Sequence, residues 1–350
     1  MIIDCDSHYL PLDVYKYVSD RYKKYLPTYT YIDGIPQVTG NDPRKSHANA
    51  LGNLHCEEPG ITDINARLRD LEKMQVDMQV VAPQDLALGF NYSVDIDLAI
   101  EMTRSYNKAI LTLDPKKFIP VGYVPLQSID AAINEMLWLR KRGAGGGINR
   151  VYVDFAFPVP GSNGCSLWRN TKDIDKFLAA AESNNVILYA HHFMHKLKLD
   201  KSQLLDNRFQ PEFINGFMLD FLFTGILDRF PNLKIVIAET PDKGMGLIRA
   251  LEGCIRVYNE GKYKCRHPLE YCRKNFYVTL DIEQEEAVSK SIKYFGEDKV
   301  LFSTDYPHVD PSGLNKWNDV SDLQKSSLSV EVKNKLSYQN AIELFDLKIG

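Results

Sequence analysis

Short apolar runs rich in β-branched residues recur along the chain, at 2–6, 78–83, 118–124, 148–153, 186–190, 233–238, 276–280 and 299–303. They are continuous rather than alternating, which suits strands of a parallel sheet covered on both faces. Between them the apolar residues take a helical period. Ile64, Leu68 and Leu71 share one face, as do Phe177, Ala180 and Ala181. Ile129, Ala132, Ile133, Met136 and Leu137 form another such face, opened by Ser128 as an N-cap and stopped at Gly143. Eight strands alternating with helices predict a (β/α)8 TIM-like barrel. A doubly wound open sheet would carry a glycine-rich turn after its first strand, and here that turn reads Asp6-Ser7-His8-Tyr9-Leu10-Pro11.

Two stretches break the alternation, residues 20–60 and 193–215. Each follows a strand, so both are expected as insertions at the C-terminal face of the barrel, where such enzymes keep their chemistry. The chain from 1 to 350 otherwise reads as a single domain.

A hydrophobic fraction of 44% with 25% charged residues excludes disordered and low-complexity classes. Lys+Arg of 42 against Asp+Glu of 46 leaves a net charge of −4, so no basic excess points to nucleic acid. The first residues, MIIDCDSHYLP, hold neither the basic nor the apolar region of a secretory signal, and no run is long enough to span a membrane. A cytoplasmic protein is expected, with no membrane partner. The six cysteines (Cys5, Cys56, Cys165, Cys254, Cys265 and Cys272) form no CxxC pair and read as reduced thiols.

Polar residues just past strand ends face the mouth of a barrel. The first strand ends in Asp6-Ser7-His8, and residues two apart in extended chain point the same way, so Asp6 and His8 can reach one ion together. The fifth strand ends in His191-His192, the sixth in Glu239 and the eighth in Asp305. Two imidazoles with carboxylates suit Zn2+, Mn2+ or Fe2+ better than an all-oxygen calcium site. Each residue also has an ordinary structural role open to it. Asp6 or Asp305 can cap a turn, one of the two histidines can sit in the core, and Glu239 can accept from the helix that follows it. Convergence at four strand ends favours one shared site.

The segments carrying these residues resemble the amidohydrolase-related metal-dependent decarboxylases and hydrolases, the family of aminocarboxymuconate semialdehyde decarboxylase and γ-resorcylate decarboxylase. The resemblance rests on the order and spacing of IDCDSHYLP, MQVDMQVVAPQ, FIPVGYVPLQSIDAAINEM, LYAHH, LDRFPNLKIVIAE, VLFSTDYPH and NAIELFDL. It implies Asp6, His8, His191 and Asp305 as metal ligands, with His192 where proline often stands. It also implies Asp305 as proton carrier and a homodimeric assembly. Glu239 occupies the place of a catalytic histidine in many of these decarboxylases, Asp242 the place three residues on where some hold a carboxylate, and a glutamate at the first of these places marks one branch of the family. A glutamate near its usual pKa of about 4.3 donates poorly at neutral pH, so Glu239 needs burial or a carboxylate neighbour to act as an acid.

Two activities follow. The first is non-oxidative decarboxylation of a small aromatic or unsaturated acid on the bound ion, Zn2+ foremost, with Asp305 or Glu239 delivering the proton. The second is hydrolysis of an amide, ester or lactone, with Asp305 as base. Arg249, in the helix after Glu239, is expected to clamp an anionic group, and His308 to line the substrate pocket with His192. Tyr9, His47, His55, Tyr92 and Tyr306 are weaker lining candidates. A non-catalytic metal-binding protein is the third class, against which the full set of charged strand ends speaks.

Overall fold

The computed structural model describes residues 1–24, 28–32, 35–39, 53–55, 59–84, 95–143, 147–154, 168, 171–191, 198–199, 203–204, 210–238, 245–280, 282, 285–308 and 317–348. The apolar runs become strands with helices between them. In chain order the strands are β1 (Ile3–Asp4), β2 (His8–Tyr9), β3 (Thr28–Ile32), β4 (Ile35–Thr39), β5 (Asn53–His55), β6 (Met78–Pro83), β7 (Phe118–Pro120) and β8 (Gly122–Tyr123). They continue with β9 (Arg150–Asp154), β10 (Ile187–His191), β11 (Lys198–Leu199), β12 (Gln203–Leu204), β13 (Ile235–Ile237), β14 (Phe276–Leu280) and β15 (Val300–Phe302).

All the ladders of the central sheet are parallel. One part joins β1, β2 and β7 to β6; the other runs β15-β14-β13-β10-β9-β8. This is the strand order of a (β/α)8 barrel. The ladder is not continuous around the ring. Between β7 and β8 it passes through Val121, whose N–H donates to the Val81 carbonyl at 2.9 Å. Between the last strand and the first it is carried by single bonds, Cys5 N–H to Phe302 C=O at 2.8 Å and His8 N–H to Tyr306 C=O at 2.7 Å. The strands are buried along their whole described length apart from the edge residues Met78 and Pro120. That is why they lack the alternating pattern of a half-exposed sheet.

The expected first strand at 2–6 is split in two. The Asp4 carboxylate accepts the backbone N–H groups of Asp6 at 3.2 Å and Thr304 at 3.0 Å. A side chain that takes a backbone donor competes with the sheet ladder, so the chain leaves the strand at Cys5 and rejoins it at His8. Helix starts follow their caps. The Ser128 hydroxyl accepts Ala131 N–H at 3.4 Å at the head of the helix Ile129–Arg140. Asp63 caps the helix Ile64–Met74 by accepting from Asn65 and Ala66.

Within the stretch 20–60 the described part contains the antiparallel sheet β3-β4-β5. Within 193–215 it contains the short hairpin β11-β12 and the start of the helix Gln210–Phe223. Cys5, Cys254, Cys265 and Cys272 are free thiols, so Cys265 and Cys272 do not pair.

Gly60 sits where the eighth strand's exit packs on the first. A methyl group there would lie 1.8 Å from the hydroxyl oxygen of Tyr306, a ring that is fully buried. Gly60→Ala is therefore expected to lower stability by about 1–3 kcal/mol, read as a reduced midpoint in urea. An unchanged midpoint would mean that this contact is not tight.

Candidate metal centre

Asp6 and His8 leave the break after β1 on the same side, and His191 ends β10. These three residues are 1%, 2% and 5% exposed and each offers a donor atom within 4.8 Å of the other two. The imidazoles of His8 and His191 meet edge to face, with centroids 4.7 Å apart. Asp305 adds a carboxylate from the far side, with its Oδ1 3.3 Å from His8 Nε2. His308 stands next to it, its ring 5.1 Å from that of His8, so His8, Asp305 and His308 form a second group of close donors.

Each donor is held by neighbours. The Tyr152 hydroxyl lies 3.3 Å from His191 Nδ1, which directs Nε2 to the cluster. The Tyr189 hydroxyl lies 2.8 Å from Asp6 Oδ1, and the Thr279 hydroxyl donates to Asp6 Oδ2 at 3.2 Å. Burial, with Asp6 beside it, pushes the Tyr189 phenol well above its ordinary pKa, so it stays a donor at neutral pH. Asp305 adopts a left-handed backbone with φ of 53°. Aspartate tolerates that region better than most residues. Its carbonyl accepts His308 N–H at 2.8 Å, which fixes the turn that carries both side chains.

Beneath the cluster lies a buried polar lattice. Arg67 is fully buried and donates to Gly60 C=O at 2.9 Å, Ser7 Oγ at 3.1 Å, Gln79 Oε1 at 2.6 Å and the His8 carbonyl. Its guanidinium lies between the rings of Tyr9 and Tyr306, at 5.4 and 4.6 Å. Gln79 passes the chain on, donating to Asp4 Oδ2 at 2.7 Å, and Thr304 Oγ1 donates to the same oxygen at 2.6 Å. Burial raises the Asp4 carboxyl to about 7 against the lowering effect of these hydrogen bonds.

A family model described as amidohydrolase matches residues 3–347. The chain belongs to this amidohydrolase family. Among its relatives, the 2-amino-3-carboxymuconate-6-semialdehyde decarboxylase of Dictyostelium discoideum is 23% identical over 70% of this chain and 67% of its own length. A gamma-resorcylate decarboxylase of Polaromonas sp. strain JS666 is 26% identical over a shorter stretch, 37% of this chain and 39% of the relative. The same fold is present in a dihydroxybenzoic acid decarboxylase from that organism, solved with bound manganese and the inhibitor 2-nitroresorcinol. It aligns with a TM-score of 0.70 at 18% identity over 100% of this chain and 98% of the other.

In this amidohydrolase the residues expected at the first, fifth and eighth strand ends come together. Arg249 is exposed on the helix Met245–Asn259. His192, Glu239 and Asp242 lie outside the described residues, as do His47, Tyr92 and the side chain of His55. Sequence reasoning overlooked Tyr152, Tyr189, Thr279 and Arg67. It also overlooked Asp154, 1% exposed at the end of β9 and paired in register with His191. A period of two held the signal. Tyr189 precedes His191 by two in ILYAH, and Tyr152 precedes Asp154 by two in RVYVD, so each shares its partner's face.

Arg67→Met strips a buried cation from four acceptors. It is expected to cost about 3 kcal/mol or more in chemical denaturation, since the acceptors stay buried without their donor. A loss below 1 kcal/mol would show that the lattice contributes little.

Proposed function

We propose that this amidohydrolase catalyses metal-dependent, non-oxidative decarboxylation of a small aromatic carboxylic acid. The observation that carries the reading is the buried cluster of Asp6, His8 and His191, with Asp305 against His8. Two imidazoles and two carboxylates at such separations fit a divalent cation. The names of the relatives, decarboxylases of unsaturated and aromatic acids, support the substrate class. We assign Asp6, His8, His191 and Asp305 as the ligands. Zn2+ is our first choice for the ion, with Mn2+ and Fe2+ as alternatives. When bound, the ion supplies orientation of the substrate carboxylate and its neighbouring oxygen, and stabilises negative charge.

The chain's own groups do the rest. Tyr152 holds the His191 ring, and Tyr189 with Thr279 holds Asp6, so the donors need no reorganisation. Asp305 has a side chain 23% exposed, the most accessible of the four, and is assigned as proton carrier. As an acid it protonates the ring carbon bearing the carboxylate. The carbon–carbon bond to that carboxylate then breaks, its electron pair restores the ring, carbon dioxide leaves, and Asp305 regains a proton from solvent. Glu239 and Asp242 are assigned to the same proton path, and His192 to the pocket wall. For substrate recognition His308 ranks ahead of Arg249, because its ring lies beside His8 while Arg249 is exposed. The same reading takes the chain, 1–350, as one catalytic domain acting in the cytoplasm as a homodimer.

Metal analysis and product analysis test this together. Purified protein is expected to hold a divalent ion that Asp6→Ala and His191→Ala lose. On a panel of hydroxybenzoates, amides and lactones it should release carbon dioxide from the acids alone. Hydrolysis of amides or lactones without carbon dioxide would replace the reading with a hydrolase. Full metal retention in both variants would remove the ligand assignment.

Tyr152→Phe probes the support of the site. It is expected to weaken metal affinity about 10–100-fold with the fold intact by circular dichroism. Unaltered affinity would mean that the phenol does not orient His191.

A further inference from the structure

At the opposite end of the barrel, where the strands begin, the fold forms a partly open cavity of ≈ 980 Å³. Met78, Phe118 and Arg150 line it, and these residues open β6, β7 and β9. Arg150 lies four residues before Asp154, so about 13 Å of extended chain separates this cavity from the catalytic end of β9. None of the residues assigned above to the metal or the substrate lines it.

The cavity has two chemical parts. One stretch of its wall is apolar, with Ile110, Leu111 and Phe345 beside Met78 and Phe118, and the rest is polar. Its charged groups are mostly cationic. Lys116, Arg140, Arg150 and Lys348 face one acid, Asp346, which is already paired with Lys348 at 2.6 Å.

Arg150 is the informative residue, at 7% exposure. Its Nε donates to the Pro120 carbonyl at 2.9 Å and an Nη donates to Asn149 Oδ1 at 3.0 Å, both neutral acceptors. The Phe345 ring lies 5.3 Å from its guanidinium carbon. Among the described residues no carboxylate pairs with it. Buried arginines are ordinarily paired, because taking the charge out of water is costly. Here burial and the nearby Arg140 instead lower the Arg150 pKa to about 9. Such a cation, at the wall of a partly apolar cavity and beside a second cation, is stabilised by an anion brought in from solution.

We propose that this cavity is a second binding site, distinct from the metal centre, for an organic anion: an acidic head against Arg150 and Lys116, and an apolar body against Phe118 and Phe345. The volume lies at the upper end of the range of about 300–1,000 Å³ for small-molecule sites. The apolar stretch beside the cationic one favours an amphiphile over a bare inorganic ion.

The test is fluorescence titration of the full chain with 8-anilinonaphthalene-1-sulfonate, an aromatic sulfonate that reports an apolar site bearing a cation. Arg150→Met removes one charged hydrogen-bond partner while keeping an apolar stem, and is expected to weaken binding about tenfold. Lys116→Glu reverses an exposed charge and should weaken it in the same direction. His191→Ala, at the metal centre, should leave it unchanged. Decanoate should displace the probe where inorganic phosphate at equal concentration does not. If Arg150→Met fails to fold, Lys116→Glu carries the comparison. Unchanged affinity in the folded cavity variants, loss of binding in His191→Ala, or displacement by phosphate alone would each overturn the proposal.

Discussion

The carboxylate of Asp4 accepts hydrogen bonds from Asp6 N–H, Thr304 N–H, Thr304 Oγ1 and Gln79 Nε2. Through these bonds one buried side chain interrupts the first strand and ties it to the exit of the last. The interruption turns Asp6 and His8 out of the ladder. The tie brings the segment 304–308 alongside, so that Asp305 stands 3.3 Å from His8. A regular strand through residues 2–6 would leave the backbone donors of Asp6 and Thr304 to other partners and would change the register of His8.

Polar groups in such numbers are costly to bury unless each is met by another. Arg67 and Asp4 do not touch; they are linked through Gln79, whose amide accepts from one and donates to the other. The arrangement satisfies a fully buried guanidinium with four oxygens and two aromatic faces. It also fixes the Ser7 hydroxyl and the His8 backbone from below. Above it, Tyr189 and Thr279 fix Asp6, and Tyr152 fixes His191. The cluster is thus set by hydrogen bonds from β9, β10 and β14 as well as by the elements that carry it.

Much of the fold was readable from the chain because burial on both faces writes continuous apolar runs. The runs at 78–83 and 276–280 match β6 and β14 to the residue. The strand-end residues Asp6, His8, His191 and Asp305 were readable for a related reason, since charged side chains directly after such runs stand out. The sheet β3-β4-β5 was not readable. One of its strands has three residues, another contains Pro36, and the surrounding sequence is polar without a period. The supporting tyrosines were hidden differently. Tyr152 and Tyr189 look like ordinary core residues of apolar strands, and only the pairing of β9 with β10, and the approach of residues 5 and 6, gives their hydroxyls partners. Arg67 reads as the polar face of an amphipathic helix, yet it points inward because Ser7, Gln79 and two aromatic rings receive it there.

The proposed chemistry requires side chains distant in the chain to share one divalent cation. Anomalous diffraction at the manganese or zinc edge, from crystals grown with the ion, tests it most directly. A peak is expected about 2.0–2.2 Å from a carboxylate oxygen of Asp6 and from one imidazole nitrogen each of His8 and His191. An ion bound elsewhere in the molecule, with no density between these three residues, would contradict it.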